Sequence, residues 1–144
     1  MKTVKQILGH KGSQAHSTQP DALTYDALKL MAEKNVGALL VLENGRLVGI
    51  LSERDYARKV ILKGKSALDT PVRDIMTERV ICVRPEQTVE ECMALMTERH
   101  VRHLPVLVGD EVVGIVSIGD LVKAILDEKD FVIKQLENYI TGER

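Results

Sequence analysis

Two hydrophobic periods succeed one another along this chain, and the same succession comes round twice. Leu23, Ala27, Leu30 and Met31 recur at helical spacing and would share one face. Pro20 is read as opening that helix, since a proline lacks only an N–H that the first turn leaves unpaired, and Asp21 favours the same end. Asn35 and Gly37 give a stop signal. A continuous apolar run follows (ALLVLE, 38–43), then Asn44-Gly45, then RLVGIL at 46–51. Asn-Gly between two such runs predicts a hairpin with a type I′ turn. Ser52 ends the second strand. Residues 53–63 return to helical spacing, with Tyr56, Val60 and Ile61 on one face and Gly64 as the cap.

A shift of 65 residues, without a gap, lays VGALLVLENGRLVGILSERD (36–55) on VRHLPVLVGDEVVGIVSIGD (101–120). Of the 37 pairs between 20–56 and 85–121, 13 are identical, which marks an internal duplication. Pro85 is read as opening the counterpart helix, with Val89, Cys92, Met93 and Met96 on one face. Residues 103–108 and 111–116 form the second hairpin about Gly109-Asp110, and 80–83 (VICV) are a candidate strand. Residues 72–79 echo 4–8, where Val4, Ile7 and Leu8 predict a short helical turn over an open edge; 9–19 read as a loop. The last helix runs from Ser117 to about Ile140. Its stripe of Leu121, Ile125, Val132, Leu136 and Ile140 is longer than one small domain needs. It is either a dimer surface or a cover for its own domain.

Neither copy is long enough to bury a good core alone. The expected fold class is therefore α/β (α+β): two pseudo-symmetric repeats, each a small, mostly antiparallel sheet flanked by two helices, packed through their sheets. The expected division is repeat 1 at 1–64, a linker at 65–71, repeat 2 at 72–126 and a C-terminal helix extension at 127–144.

Composition narrows the partners. Net charge is −1 with acids and bases interspersed, so the basic footprint of a nucleic-acid binder is absent. Tyr25, Tyr56, Phe131 and Tyr139 are too scattered for a stacking platform. Residues 1–20 are polar, carrying His10, Lys11, Ser13 and His16, and do not read as a secretory segment. No apolar run approaches the roughly 20 residues of a membrane helix. Cys82 and Cys92 read as small core residues in a reducing cytosol, so the expected location is cytoplasmic. His10 and His16 have no acidic or cysteine partner nearby and read as solvated. The GKS at 64–66 is not a phosphate loop, because Lys59 stands where the required glycine should be.

The candidate chemistry sits at the strand-to-helix corners. Ser52-Glu53-Arg54-Asp55 and Ser117-Ile118-Gly119-Asp120 share Ser-x-x-Asp. One reading is a capping box, in which the serine accepts from the third N–H and the aspartate reaches back. The other is a ligand site: a helix N-terminus suits a phosphate, and the carboxylate beside it suits ribose hydroxyls. The spacing alone leaves both open.

Two units that each end in Gly-hydrophobic-hydrophobic-Ser-x-x-Asp resemble the cystathionine-β-synthase (CBS) domain family, and the pair resembles its tandem module. The residues carrying the resemblance are Asp74-Ile75-Met76-Thr77, Val101 to Val106, Gly49-Ile50-Leu51-Ser52, Asp55, Gly114-Ile115-Val116-Ser117 and Asp120. It spans about 1–126 and leaves no catalytic domain in the chain. The resemblance implies a sensor of AMP, ADP, ATP, NAD-type or S-adenosyl ligands in the cleft between repeats. The ligand is regulatory, with no catalytic cofactor. It implies that Ser52 and Asp55 receive Arg102, His103 and Pro105 from the opposite repeat, with Arg54 adding a cation for phosphate. It implies likewise that Ser117 and Asp120 receive Gly37 and Ala38. Gly119 replaces Arg54 there and no basic pair faces it, so the Asp55 site is expected to be the phosphate-rich one. His100 is expected at a helix end.

Two other classes remain. Gly-Ile-Val-Ser-Ile-Gly around Ser117 superficially resembles a nucleophile elbow, but its glycine is three residues upstream instead of two and no Asp/His pair follows. An interaction or dimerisation module with vestigial pockets would act through the long last helix. The expected assembly is a homodimer that signals to a regulated protein, with no nucleic acid and no membrane involved.

Overall fold

In chain order the elements are α1 (Val4–Lys11), β1 (Ser17–Thr18), α2 (Thr24–Lys34), β2 (Ala38–Glu43), β3 (Arg46–Ser52) and α3 (Glu53–Tyr56), which runs on into a π-helical turn at Ala57–Ile61. A 3₁₀ turn at Val72–Asp74 leads to α4 (Val89–Arg99), β4 (His103–Val108), β5 (Glu111–Ser117) and α5 (Ile118–Thr141). They are those of a computed structural model that describes residues 2–12 and 15–141. Residues 13–14 of the expected loop and 142–144 of the expected extension lie outside the described residues.

The duplication is visible in the backbone. Ala38 pairs with Ser52 across β2 and β3, and His103 with Ser117 across β4 and β5. Both ladders slip at the same place, after Val41 and after Val106. Asn44 and Gly45 have φ of 53° and 80°, as a type I′ turn requires, whereas in the second hairpin Gly109 alone is positive. Asn35 and His100, also 65 apart, both end their helices in the left-handed region, at φ 53° and 55°.

Some local expectations give way. Pro20 and Pro85 precede their helices instead of opening them: α2 begins at Thr24 and α4 at Val89. The start of α2 is set from the linker, where the Thr70 carbonyl accepts from the Thr24 N–H and hydroxyl at 2.9 and 2.8 Å. The start of α4 is set by Thr88, whose hydroxyl accepts from the Glu91 N–H. The π turn carries one extra residue; Val60 is buried there and Ile61 is turned out. Residues 9–11, with His10, belong to α1. The polar pair Ser17–Thr18 forms a strand parallel to β2, where a loop was expected. Its counterpart 65 residues on, Val83, bridges Val106 in the same parallel sense.

Each middle strand is buried on both faces. Leu39 and Val41 meet one core with Ala27, Met31 and Leu51; Leu104 and Val106 meet the other with Cys92, Val116 and Leu121. Leu40 and Pro105, related by the duplication, are buried on the alternate face. Burial of both faces accounts for the continuous apolar runs.

Two segments cross over. Val4 and Ile7 of α1 are buried in the second core, not beside their sequence neighbours. The N–H groups of Val4 and Lys5 donate to Gln87 and Pro85, each at 2.9 Å. Conversely Val72 and Ile75 join the first core. Thr77 exchanges backbone hydrogen bonds with Ile50 at 3.0 and 2.9 Å. Both segments pass close over a glycine, with a backbone atom in the way at Gly49 and the flexible end of Leu8 at Gly114. A Cβ on Gly49 would stand 2.8 Å from Met76 Sδ and 3.0 Å from the Thr77 carbonyl oxygen; one on Gly114 would stand 2.8 Å from Leu8 Cδ2.

Only the first part of α5 is seated. Leu121 and Ala124 are buried in the second core and Ile125 packs against it. Val132, Leu136 and Ile140 are 51%, 58% and 81% exposed.

Candidate functional site

Both Ser-x-x-Asp corners form capping boxes. Ser52 Oγ accepts from the Asp55 N–H at 3.2 Å, and Asp55 Oδ2 accepts from the Ser52 N–H and hydroxyl at 2.9 and 3.0 Å. At the second corner Ser117 Oγ accepts from the Asp120 N–H at 3.2 Å, and Asp120 Oδ2 accepts from the Ser117 N–H at 2.8 Å. The first N–H of each helix is also taken: Glu53 donates to the Gly37 carbonyl and Ile118 to the Arg102 carbonyl, at 3.0 and 2.9 Å. Each corner is thus tied to the start of its own middle strand. Few helix-end N–H groups stay open to an anion, so charge there falls to side chains.

The carboxylates differ in what else they hold. Asp55 Oδ1 accepts from the Thr77 hydroxyl at 3.0 Å and meets Lys59 Nζ at 3.2 Å. Lys59 also donates to the Ile75 carbonyl, so the crossing segment 72–77 is fastened to this corner. Asp120 Oδ2 instead meets Lys11 Nζ at 2.7 Å, and Lys11 donates further to the Ile115 carbonyl at 3.0 Å. Asp120 Oδ1 takes no hydrogen bond from the described residues. The side chain of Asp55 is 12% exposed and that of Asp120 23%. Burial raises the Asp120 carboxyl, but the hydrogen bonds from Lys11 and Ser117 outweigh it and hold the group below the ordinary carboxylate range.

The second corner, where Gly119 replaces Arg54 and no basic pair was expected, has a single cation in Lys11 among the described residues. Lys11 comes from the far end of the sequence, on a helix that sequence reasoning placed with the first repeat. Thr77 was legible as part of Asp-Ile-Met-Thr, and Lys59 as a residue one helical turn beyond Asp55; Lys11 had no local signal.

The strand starts meet across the repeats. A Cβ on Gly37 would lie 3.5 Å from Nε2 and Cε1 of His103, and 3.0 Å from Glu53 Oε1. Arg54 reaches over to the His100 carbonyl, Nη1 to oxygen 2.7 Å, which places the first corner beside the start of β4. His103 stands between the corners: Asp120 and then Glu53 are its strongest acidic neighbours, with Lys11 and Arg102 opposing them. Arg102 is exposed, whereas Ala38 and Pro105 are buried in their strands, and the Pro105 carbonyl accepts from the Val83 N–H. A cleft of about 290 Å³ opens beside Gly37 and Glu53, walled by Leu28, Met31, Ala32 and Val36. Cys92 lies in the second core, where burial and then Glu91 push its thiol up to about 11.

His103 makes the seam sensitive to acid. Burial lowers its pKa, and the acids facing it only partly offset this. The unfolded chain therefore binds a proton that the folded chain refuses. Stability should fall as pH drops from about 6.5 through the folded value. Asp120 contributes in the opposite range, with stability present above 3.8 and lost only as pH falls through its lower folded value. Melting temperatures at pH 7.5 and 5.5 are expected to diverge more for the wild type than for His103→Gln. Equal divergence would remove His103 from the account.

A family model described as CBS domain matches the chain twice, over residues 13–62 and 72–127. The mitochondrial CBS domain-containing protein CBSX3 of Arabidopsis thaliana is 42% identical over 149 residues, covering 97% of this chain and 72% of that protein. The solved structure of a signal-transduction protein with CBS domains from Burkholderia ambifaria MC40-6 superposes with a TM-score of 0.85 at 50% identity, over 88% of this chain and 95% of that one. The CBS domain pair of protein MJ0100, solved with 5′-methylthioadenosine and S-adenosyl-L-methionine, shares the fold at a TM-score of 0.78, 24% identity, and 89% and 98% coverage.

Proposed function

The chain belongs to the CBS-domain family, and from that premise we propose that it is a regulatory module that senses an adenine nucleotide, AMP, ADP, ATP or an NAD-type ligand, between its two repeats. The observation that carries the reading is the convergence at one seam of both Ser-x-x-Asp corners, both middle-strand starts and two cationic side chains, Arg54 and Lys11, with the imidazole of His103 between the corners. Carboxylates answer ribose hydroxyls, cations answer phosphates, and Leu28, Met31 and Val36 in the cleft beside Gly37 offer a wall for a base. The adenosine ligands of MJ0100 are a parallel in a protein of the same fold. Residues 1–64 and 72–126 act as the two repeats in this reading. A ligand touching both would favour one packing of them, and a regulated protein would read the difference. The ligand would be bound and released unchanged, without a catalytic step. The exposed stripe of α5, in the extension from 127 onward, fits a second copy of the chain. No described helix is long and apolar enough to cross a membrane, and the compartment of this reading is the cytoplasm.

A thermal-shift panel with AMP, ADP, ATP, NAD, NADH and S-adenosylmethionine tests it. A ligand that binds only the folded state, at a hundredfold above its Kd, adds about 2.7 kcal/mol, or roughly 5–10 °C in a chain of this size. The expected result is such a shift from at least one of them, with the ligand recovered intact. A flat panel overturns the sensor. The corners are then helix caps, and the unpartnered α5 stripe supports the second reading, an interaction module.

A further inference from the structure

We propose that Lys11 is the phosphate-contacting cation of the second corner and makes that corner, more than the first, a site for a charged nucleotide. The proposal rests on the nucleotide reading above. The two corners share a plan, in which a lysine bridges the aspartate and a main-chain carbonyl: Lys59 to Asp55 and Ile75, Lys11 to Asp120 and Ile115. They differ in what the aspartate has left to offer. Asp55 is engaged through both oxygens, by Ser52 on one and by Thr77 and Lys59 on the other. Asp120 is engaged through Oδ2 alone, and its Oδ1 meets no donor among the described residues. A ribose hydroxyl can therefore reach Asp120 without displacing the contacts that hold it, whereas at Asp55 it must displace Thr77 or Lys59.

The cations differ as well. At the first corner Arg54 spends one of its five N–H donors on the His100 carbonyl. At the second, Gly119 has no side chain in the place of Arg54, and the helix-end N–H groups of Ile118 and Asp120 are used internally. Lys11 brings an ammonium there with three donors, two of them accounted for. Its side chain is 31% exposed, while its backbone is held by Val4 and Ile7 in the second core. It is anchored at the root and free at the tip. Asp120 keeps the ammonium at the corner, with one donor left for a phosphate.

Calorimetric titrations of the full chain with AMP and with adenosine, for the wild type, Lys11→Met and Lys11→Arg, test this. Lys11→Met keeps the aliphatic stem and should melt within about 2 °C of the wild type, because an exposed ion pair contributes little. It should weaken AMP by roughly ten- to a hundredfold and leave adenosine within about twofold. Lys11→Arg should retain most of the AMP affinity. If both corners fill, the loss falls on one of the two binding steps. AMP affinity unchanged in Lys11→Met, or AMP and adenosine weakened alike, overturns the assignment and leaves the sensor standing. A wild type that binds neither compound overturns the sensor and this proposal together.

Discussion

Asp55→Ala is expected to destabilise the protein by about 3 kcal/mol, a loss characteristic of breaking a buried charge network. The Asp55 side chain is 12% exposed and joins four partners: the Ser52 N–H, the Ser52 hydroxyl, the Thr77 hydroxyl and the Lys59 ammonium. Removing it uncaps α3 and leaves donors unpaired where water has little access. It also unfastens the crossing segment that Thr77 and Lys59 hold in place. Lys59 is 42% exposed and can turn to solvent, which keeps the figure at the low end of the range for buried pairs. Asp120→Ala removes a similar box at a more open corner and should cost only about 1 kcal/mol. Urea unfolding of the two variants reads the contrast directly. Equal losses would mean that the extra contacts of Asp55 contribute nothing, and the aspartate would then be available to a ligand on the same terms as Asp120.

Ile7→Ala should cost about 3 kcal/mol, within the 2–5 kcal/mol seen when a buried aliphatic side chain is cut back to alanine. The location of the damage matters more than its size. Ile7 belongs to the first repeat in sequence but is buried in the second core. Native-state hydrogen exchange should show the amides of β4 and β5 losing protection before those of β2 and β3. Ile75→Ala should show the reverse, because Ile75 is buried in the first core. Early loss in β2 and β3 for Ile7→Ala would mean that α1 does not sit where the hydrogen bonds to Pro85 and Gln87 place it.

The contrast between these positions explains what the sequence disclosed. The hairpins were legible because each middle strand is buried on both faces and bounded by turn residues, so burial and local chemistry agree. The corners were legible as Ser-x-x-Asp because a capping box is local. The choice between cap and ligand site was not, because one set of atoms serves both and only the remaining partners of Asp55 and Asp120 separate them. β1 was hidden because Ser17–Thr18 is a two-residue edge strand without apolar alternation; only its distance of 65 residues from the VICV segment could have pointed to it. The helix starts were misplaced because the Pro20 rule is local, whereas α2 begins where Thr70 accepts from Thr24. Lys11 was unreachable because its partners are more than a hundred residues away.

The exchange of α1 and residues 72–77 has a consequence for the chain as a piece of heredity and as an object in the cell. Although the duplication reads as two modules in tandem, neither module is self-sufficient. A nick in the exposed stretch 61–66 would separate two fragments, each still carrying a strip of the other's interior. The fragments would stay clasped, and neither would hold its shape by itself. A gene for one half would encode an open core on both counts, so the ancestor of the pair either met a second copy of itself or closed its core in some other way. With the linker cut, the halves would be expected to stay one molecule, because they are joined by reciprocal burial as well as by peptide bonds.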